Sequence, residues 1–443
     1  MLSKKRDKCQ LSLFFSLGST LNQRHPFFIL ADHINWNTFE VSFSSLYCQD
    51  NGRPAKPIRL MVGLLIIKHL RNLSDESVVE QWQENMYYQY FCGMDQIQSG
   101  APCESSELVH FRKRIGEDGI SLILKESIRI NGKDGDDPHV SVDTTVQEKN
   151  ITYPTDAKLH KKIIKSCWKI IDDENLNKRQ SYKRVVKKLS VAQRFRSHPQ
   201  NRSKAIKADK KIKTIAGRLV RELERNLGPD TKYGPKLSLF KTILSQKRDT
   251  KNKIYSIHEP EVQCISKGKE HKKYEFGNKV SLVITQNTGV ILGAKGFRNE
   301  YDGHTLEPAL SQAIALTGKA PQTATVDRGY KGKVQIGETK IQIPKVFNNK
   351  TQSPYSQKKL KRAFKRRAAI EPIIGHLKTD HRLGRNFYKG IFGDNINIML
   401  AAAAFNFKRM MNKWKSSFWH FLEEIFNYCQ AVYINMNLPN LGF

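Results

Sequence analysis

Three carboxylates are the residues of this chain best suited to act together in chemistry: Asp143, Asp327 and Glu371. Asp143 directly follows a run in which valines alternate with polar residues, which predicts a strand with one buried face. Asp327 closes a short β-rich run, and Glu371 lies in a predicted helix. Two acids at strand ends and one on a helix are suited to hold two Mg²⁺ ions about 3.5–4 Å apart, the arrangement used in phosphodiester chemistry. Taken singly, each aspartate is equally typical of a solvated strand end or turn.

The helix predicted around Glu371 covers residues 364–378, FKRRAAIEPIIGHLK. At about 100° per residue, four of its side chains fall within an arc of roughly 60°: Phe364, Arg367, Glu371 and Lys378. An adjoining apolar face predicts packing on a core, with Ile370, Ile373, Ile374 and Leu377. Pro372 requires a kink or a restart of the helix with proline at its first position. A salt-bridged surface helix explains the same spacing.

This spacing resembles the carboxylate helix of DDE transposases of the insertion-sequence-four/five superfamily, whose signature is Tyr, two residues, Arg, three residues, Glu, six residues, Lys. Every gap matches, with Phe364 at the tyrosine position. The stretches around the other two acids, VDTTVQEKNITYPTDAKLHKKII and TATVDRGYKG, resemble the family's first and second aspartate motifs. The sequence that follows the helix, HRLGRNFYKGIFGDNINIMLAAAAFN, is similar to the family as well. The resemblance covers roughly residues 50 to 410.

The resemblance implies an α/β protein with a ribonuclease-H-like catalytic core: a mixed sheet with helices on both faces and the acids gathered at one edge. Asp143, Asp327 and Glu371 would be catalytic and would bind two Mg²⁺ ions, with Mn²⁺ as a substitute. Arg367 and Lys378 would hold DNA phosphates, the first as a planar fork and the second as a point charge. The implied enzyme cleaves the ends of an insertion sequence and transfers the 3′ hydroxyls into target DNA.

Two other functions fit parts of the same pattern. A non-catalytic DNA-binding protein derived from a transposase would keep the cations without the chemistry. A ribonuclease-H-like nuclease would cut DNA without joining it. Because strand transfer acts on two ends in concert, the transposase hypothesis also predicts a homo-oligomer, at least a dimer. Asp302, His304, Glu307 and Asp380 are taken as bystanders by default.

The composition favours a polyanionic partner. The 443 residues include 75 Lys and Arg and 42 Asp and Glu, a net charge of +33, which predicts binding to double-stranded DNA. A ribosomal or membrane-surface protein is the competing class. Seven scattered cysteines show no CxxC pair or zinc spacing and suit a reducing compartment. No transmembrane run is evident, and the first residues are interpreted as a cytoplasmic amino terminus of a bacterial, nucleoid-associated protein rather than a signal peptide.

The segment 51–130 predicts an all-α amino-terminal domain, preceded by a weakly patterned segment, 1–50. Pro57 starts one helix, Ser74 can cap a second that Gly93 closes, and a third begins at Glu104. Short helices joined by short turns fit either a helix-turn-helix module or a plain scaffold. Residues 53–93 resemble the amino-terminal domain of the same transposases, which implies binding of transposon ends or dimerisation. Candidate phosphate contacts are Arg112, Lys113 and Arg114.

The remaining chain is expected to form the catalytic domain, 139–411, and a carboxy-terminal tail, 412–443. Residues 157–250 are dense in Lys and Arg and predict a basic helical insertion whose cationic faces either grip DNA or are merely solvated. One of its helices carries the apolar stripe Ile212, Ile215, Leu219, Leu223 and Leu227. Beyond the insertion, antiparallel strands are expected over 254–297, and Asp394 is expected to cap a final small-residue helix.

Overall fold

The computed structural model describes residues 16–48, 51–177, 179–228, 231–247, 249–266, 273–330, 334–343 and 354–437. The chain forms two compact units. Residues 1–147 and 279–443 form the first, here called the sheet unit, and residues 148–278 form the second, the insertion unit. The insertion unit therefore contains the predicted insertion, 157–250, and extends beyond it at both ends.

The amino-terminal part of the sheet unit is helical, as predicted. The helices are α1 (Leu17–Thr20), α2 (Pro26–His33), α3 (Trp36–Ser44), α4 (Ile58–Leu70), α5 (Asp75–Glu84), α6 (Met86–Phe91) and α7 (Ser105–Ile130). The Ser74 hydroxyl accepts a hydrogen bond from the Ser77 N–H and caps α5. Glu104 and Glu107 form a capping box at the start of α7. These two starts were predicted at the correct residues.

Helix α7 is interrupted at Gly116. This glycine has φ 66° and ψ −169°, a conformation that residues with a side chain rarely adopt, so α7 consists of two helical segments that meet at a kink. The segment before the kink corresponds to the predicted third helix. A short 3₁₀ turn, Gly132–Asp136, then leads into the central strand β1 (His139–Lys149).

The insertion unit is built from α8 (Asp156–Asp173), α9 (Lys183–Ala192), α10 (Pro199–Leu227) and α11 (Gly234–Ser245), followed by strand β2 (Gln263–Ser266). The predicted stripe on α10 is confirmed: four of its members are buried in a separate aliphatic core, and Leu227 packs against it. Gly228, with φ 73°, ends the helix. The expected partner in this stop signal, Pro229, lies outside the described residues.

The chain then returns to the sheet. It forms β3 (Tyr274–Thr285), β4 (Ile291–Phe297), α12 (Asp302–Thr317), β5 (Thr323–Thr325), β6 (Gln335–Ile336) and β7 (Thr339–Gln342). In the sheet unit the strand order is β4-β3-β1-β5-β7-β6. The pair β3–β4 is antiparallel, β1–β5 and β5–β7 are parallel, and β6–β7 is antiparallel. The sheet is therefore mixed, and the protein is α/β. The β-rich run after β6, residues 340–346, forms β7 only as far as Gln342, and residues 344–346 lie outside the described residues.

The carboxy-terminal part contains α13 (Pro354–Arg367), α14 (Ile370–Asp380), β8 (Arg385–Asn386), which pairs with β1, and α15 (Gly390–Asn437). The prediction that Asp394 caps the last helix is wrong. The helix begins at Gly390, and the buried Asp394 carboxylate instead accepts a hydrogen bond from the Asn386 side chain. The helix also continues through most of the segment predicted as a tail, 412–443.

One hydrophobic core joins the amino-terminal helices to the sheet. Its buried members include Leu64 on α4, Val140 on β1 and Ala402 on α15. The helical segment 51–130 thus packs in the same unit as the strands that carry the candidate acids. Among the described helices, none combines the length and the apolar character that crossing a bilayer requires.

Candidate active site

The register of the sheet places two of the predicted acids side by side. Strands β1 and β5 are parallel, and Ser141 is paired with Thr325. Asp143 and Asp327 each follow their member of this pair by two residues, Asp143 still within β1 and Asp327 in the turn just beyond the end of β5. The pairing therefore brings together the two segments that carry these aspartates, although 184 positions separate the acids in the sequence.

Asp143 lies within β1 rather than at its end, because the strand continues to Lys149. One oxygen, Oδ1, accepts a hydrogen bond of 2.7 Å from the Thr144 N–H. The other, Oδ2, lies 3.4 Å from Nη1 of Arg367, and both side chains are about four-fifths buried. The predicted association of Arg367 with the acids thus takes the form of an ion pair with Asp143.

Asp327 is held by the tight turn that follows β5. Its Oδ1 accepts a hydrogen bond of 2.6 Å from the Gly329 N–H. A Cβ atom added to Gly329 would lie 2.9 Å from this same oxygen, so a side chain at this position would require the Asp327 carboxylate to shift. The Tyr301 hydroxyl donates a hydrogen bond to the Gly329 carbonyl and thereby fixes the start of α12 to this turn.

Tyr330 is a buried residue close to these acids. Its side chain is 2% exposed, and apart from the neighbouring Ser281 hydroxyl its own hydroxyl has no hydrogen-bond partner among the residues that the structure describes. Burial raises the pKa of Tyr330, and the negative charges of Asp143, Asp302 and Asp327 raise it further. All three carboxylates thus lie close enough to act on one phenol, which stays protonated.

Asp302 is a member of this group that the sequence did not reveal. It was taken as a bystander, but its Oδ1 accepts a hydrogen bond of 3.0 Å from the Thr144 hydroxyl and lies 2.9 Å from Nζ of Lys279. Its Oδ2 lies within 4 Å of the point where a Cβ of Gly329 would stand, the same point that Asp327 approaches. No local motif marks Asp302, because its partners come from β1, β3 and the turn after β5.

Glu371 and Arg367 do not share one helix, which corrects the prediction. Helix α13 ends at Arg367, residues 368 and 369 form a turn, and α14 begins at Ile370. Pro372 explains the break, since it lacks the N–H that would bond to the Ala368 carbonyl. That carbonyl instead accepts from the Glu371 N–H at 3.2 Å.

The predicted apolar face of α14 is confirmed. Ile370 and Leu377 are buried, and Ile373 and Ile374 pack against the main core. This packing leaves Glu371 exposed in the first turn of the helix, where a carboxylate interacts favourably with the helix dipole. Lys378 is half-buried in the last turn.

The donor set fits a hard divalent cation. The candidate ligands are all carboxylates, which Mg²⁺ and Mn²⁺ prefer, and Gly329 keeps the space between two of them clear of a side chain. Within the described residues, however, no three His, Cys, Asp or Glu side chains already converge on one point. Mutual repulsion of neighbouring carboxylates opposes such convergence, and Arg367 and Lys279 offset part of it here.

Comparisons with known proteins identify the family. Residues 15–114 match the family described as Transposase domain (DUF772), and residues 251–407 match the one described as Transposase DDE domain. The chain is 40% identical over 187 residues to an uncharacterized protein, ORF8 in the nfe locus of Rhizobium meliloti, across 41% of this chain and 90% of that protein. No solved structure matches. The chain belongs to the DDE transposases.

The matched segments do not cover all three candidate acids of the transposase. Asp327 and Glu371 fall within 251–407, whereas Asp143 lies outside both segments. The reason is visible in the fold, since the insertion unit separates β1 from the following strands along the chain. Because β1 pairs with β5, Asp143 lies in the same sheet as the strands within residues 279–342.

Arg112 is not available to bind a DNA phosphate, which corrects that prediction. Only 4% of its surface is exposed, and its guanidinium binds both oxygens of Asp75 at 2.7 and 2.8 Å. Lys68 donates to the same carboxylate at 2.8 Å and to the Tyr388 hydroxyl at 2.8 Å. Here we call these four residues, Lys68, Asp75, Arg112 and Tyr388, the buried ion network; it connects α4, α5 and α7 to the segment after β8.

The sequence contained a signal of this burial. Arg112 follows the buried Leu108 by four residues and precedes the buried Ile115 by three, so it lies on the apolar face of α7. Its neighbours Lys113 and Arg114 point the other way and are exposed. They remain candidate phosphate contacts of the transposase.

The strongest concentration of positive charge is the insertion unit. Its 131 residues include 34 Lys and Arg and 14 Asp and Glu, a net charge of +20 out of +33 for the whole chain. Opposite its buried stripe, α10 exposes a row of cations here called the α10 cationic face: Lys204, Lys207, Lys210, Lys211, Lys213, Arg218 and Arg221. Such a row is suited to contacts with successive phosphates.

Proposed function

We propose that this transposase cleaves DNA at the ends of an insertion sequence and transfers the freed 3′ hydroxyls into target DNA, in a reaction that depends on divalent metal ions. The observation that supports the proposal is the parallel pairing of β1 with β5, in which Ser141 lies opposite Thr325 and a candidate aspartate follows each by two residues, Asp143 within β1 and Asp327 in the turn after β5. A mixed sheet with two acids so placed is what a ribonuclease-H-like core requires. The match of residues 251–407 to the DDE domain supports the same assignment.

Metal ions bound here would activate a water molecule or a 3′ hydroxyl and neutralise charge at phosphorus and on the leaving oxygen. Asp143 and Asp327 would bind them from the sheet, and Glu371 would bind them from the first turn of α14. Two Mg²⁺ ions are the expected complement, with Mn²⁺ as a substitute. Tyr330 is buried and stays protonated within the electrostatic reach of Asp143 and Asp327.

Arg367 would bind a phosphate oxygen once a metal ion competes for Asp143, because its guanidinium already lies beside that carboxylate. Lys378 would contribute a second cation from the end of α14. Lys113, Arg114 and the α10 cationic face would bind the DNA backbone more generally. The substrate in this proposal is double-stranded DNA, both the terminal repeats and the target.

The reaction also suggests the assembly and location of the protein. Two ends must be joined to one target in concert, so we propose a homo-oligomer, at least a dimer, in the complex with DNA. A bacterial cytoplasm, with the protein associated with the nucleoid, is where such a substrate is found. Light scattering of the complex tests the assembly: one protomer for each pair of synapsed ends would contradict it.

A strand-transfer assay tests the proposal. The full-length chain is incubated with its own terminal repeats and a target plasmid, with Mg²⁺ or with a chelator. Joined products are expected only with metal, and Asp327→Asn should abolish them. DNA binding without cleavage by the wild-type chain would instead support a non-catalytic DNA-binding protein, and cleavage without joining would support a nuclease.

A further inference from the structure

We infer that Asp302 contributes a fourth carboxylate to the divalent-metal site, with Lys279 as the counter-ion that a bound metal displaces. This inference rests on the proposed function and assigns one more residue to the same site. It begins from the position of Asp302 in the first turn of α12, where an acid normally serves only the helix dipole and points to solvent.

The contacts of Asp302 differ from those of a solvated helix-start acid. Its side chain is 29% exposed, and one oxygen is held by two donors from different strands, the Thr144 hydroxyl at 3.0 Å and the Lys279 ammonium at 2.9 Å. Thr144 is the immediate neighbour of Asp143 on β1. The carboxylate is therefore fixed to the same strand that carries the first candidate ligand.

The second oxygen of Asp302 faces the other strand acid. Oδ2 lies 3.6 Å, and Oδ1 of Asp327 lies 2.9 Å, from the point where a Cβ of Gly329 would stand. Both carboxylates thus approach one small space, which is open because Gly329 has no side chain. The hydrogen bond from the Tyr301 hydroxyl to the Gly329 carbonyl holds α12 and the turn together, so this approach is part of the fold.

A second, independent observation points to a ligand at this place. The buried Tyr330 hydroxyl has the Ser281 hydroxyl as its neighbouring hydrogen-bond group, neither of the two has a further partner among the described residues, and Tyr330 lies within the electrostatic reach of Asp143, Asp302 and Asp327. A buried polar atom without a partner is unfavourable unless something else satisfies it. A metal-bound water held by these acids would accept its hydrogen bond.

Lys279 explains how such a concentration of acids is tolerated. Its ammonium is largely buried, lies against Asp302 Oδ1 and donates to the Glu300 carbonyl at 2.6 Å. The Glu300 carbonyl is a second acceptor for this ammonium, so Lys279 would keep a hydrogen-bond partner if a divalent ion bound the Asp302 carboxylate in its place. The pair therefore places an exchangeable monovalent cation where a divalent one would bind.

Mn²⁺ binding to the full-length chain tests the inference directly, followed by electron paramagnetic resonance so that the readout does not depend on activity. The variants are Asp302→Asn, which keeps the size of the side chain but loses its charge, and Glu307→Gln as a control, an exposed acid on the same helix. Asp302→Asn should weaken Mn²⁺ binding by about tenfold or more, a ligand-sized loss, and Glu307→Gln should leave it unchanged. Equal affinity of Asp302→Asn and the wild type overturns the inference, even if cleavage is lost.

Lys279→Met provides a second readout should Asp302→Asn fail to fold. Removing the competing ammonium should tighten Mn²⁺ binding several-fold, whereas weaker or unchanged binding would contradict its role as a displaceable counter-ion. Asp143→Asn separates this inference from the proposed function. If the wild type binds Mn²⁺ and Asp143→Asn abolishes binding while Asp302→Asn does not, only the inference fails. If the wild type binds no Mn²⁺, the proposed function itself fails.

Discussion

The two units of this transposase differ in net charge and in how deeply their ion pairs are buried. The insertion unit has an aliphatic core and a net charge of +20, and most of its ion pairs, such as Glu174–Lys232 and Glu224–Lys241, are partly exposed, although Lys149–Glu259 is buried. The sheet unit has a net charge of +13 over 312 residues; it has exposed pairs such as Lys319–Asp136, but it also holds charges in buried or half-buried contacts, such as Arg112–Asp75 and Lys279–Asp302.

This difference separates two physical tasks. Exposed cations contribute little to stability but attract a polyanion over a distance and release counter-ions when it binds. Buried or half-buried charges must be paired to be tolerated, and once paired they fix geometry and shift pKa values, which is what a catalytic site needs. The comparison therefore predicts that DNA affinity and DNA chemistry can be removed separately.

The largest expected effect is the loss of chemistry without the loss of binding. Asp143→Asn should reduce DNA cleavage by about a thousandfold, since several kcal/mol of metal-dependent stabilisation are lost. Its affinity for the terminal repeats should be unchanged or slightly higher, because one negative charge is removed. Cleavage rates and filter binding measure the two quantities. Asp380→Asn, an exposed acid bonded to His376, is the matched control and should change neither.

The second prediction removes charge from the insertion unit. Changing Lys207, Lys210 and Lys211 together to glutamine should weaken DNA binding and reduce the slope of log affinity against log salt by about 2 to 3, close to one for each lost phosphate contact. Cleavage at saturating DNA should stay near that of the wild type. A parallel triple change of exposed cations in the sheet unit, Lys125, Lys133 and Lys319, is the control. Equal slopes for the two triple variants would remove the distinction between the units.

The third prediction compares neighbouring residues on α7. Arg112→Met leaves the Asp75 carboxylate without its bidentate partner, and breaking such a buried pair costs about 3–5 kcal/mol of unfolding free energy. Lys113→Ala is exposed and should change stability by less than about 0.5 kcal/mol while lowering DNA affinity slightly. Chemical denaturation and salt-dependent binding separate the two. Equal stability of the two variants would contradict the burial of Arg112.

The smallest expected effect is the acid sensitivity of the buried ion network. Burial alone would raise the pKa of Asp75, but hydrogen bonds from Arg112 and the charge of Lys68 hold it at about 2, below its ordinary 3.8. The stabilisation is therefore complete above pH 3.8 and is lost as the pH falls toward 2, a change of about 2 kcal/mol. Unfolding free energies of the wild type and Asp75→Asn measured across this range should converge by that amount. Parallel curves would show that Asp75 is not held ionised by its partners.

Structural features that depend on residues close together in the sequence were predicted correctly. The valine alternation before Asp143, the capping residues of α5 and α7, and the apolar stripes of α10 and α14 all appear in the structure where they were expected. These features depend on residues a few positions apart. Asp143, Asp327 and Glu371 were inferred from their motifs and remain candidate site residues, and the pairing of β1 with β5 brings together the segments that carry the first two.

Features that depend on residues far apart in the sequence were not predicted. Asp302 belongs with the other acids only because β1, β3 and the turn after β5 meet beside the start of α12. Arg112 looked like part of a basic triplet until Asp75 and Tyr388 were seen to enclose it. A single helix was expected through Arg367 and Glu371, with either a kink at Pro372 or a new helix starting at that proline. The structure has two helices, and the second begins at Ile370, two residues before the proline.

The central claim is that Asp143, on β1, and Asp327, in the turn after the paired strand β5, bind metal ions together. A double-mutant cycle in Mg²⁺-dependent cleavage of a terminal repeat tests it most directly, with Asp143→Asn, Asp327→Asn and the double variant. If the two acids serve one function, the double variant should be no slower than either single variant, as is found for catalytic residues that act together. If the two losses instead multiply, as they do for independent sites, the acids act separately and this account is contradicted.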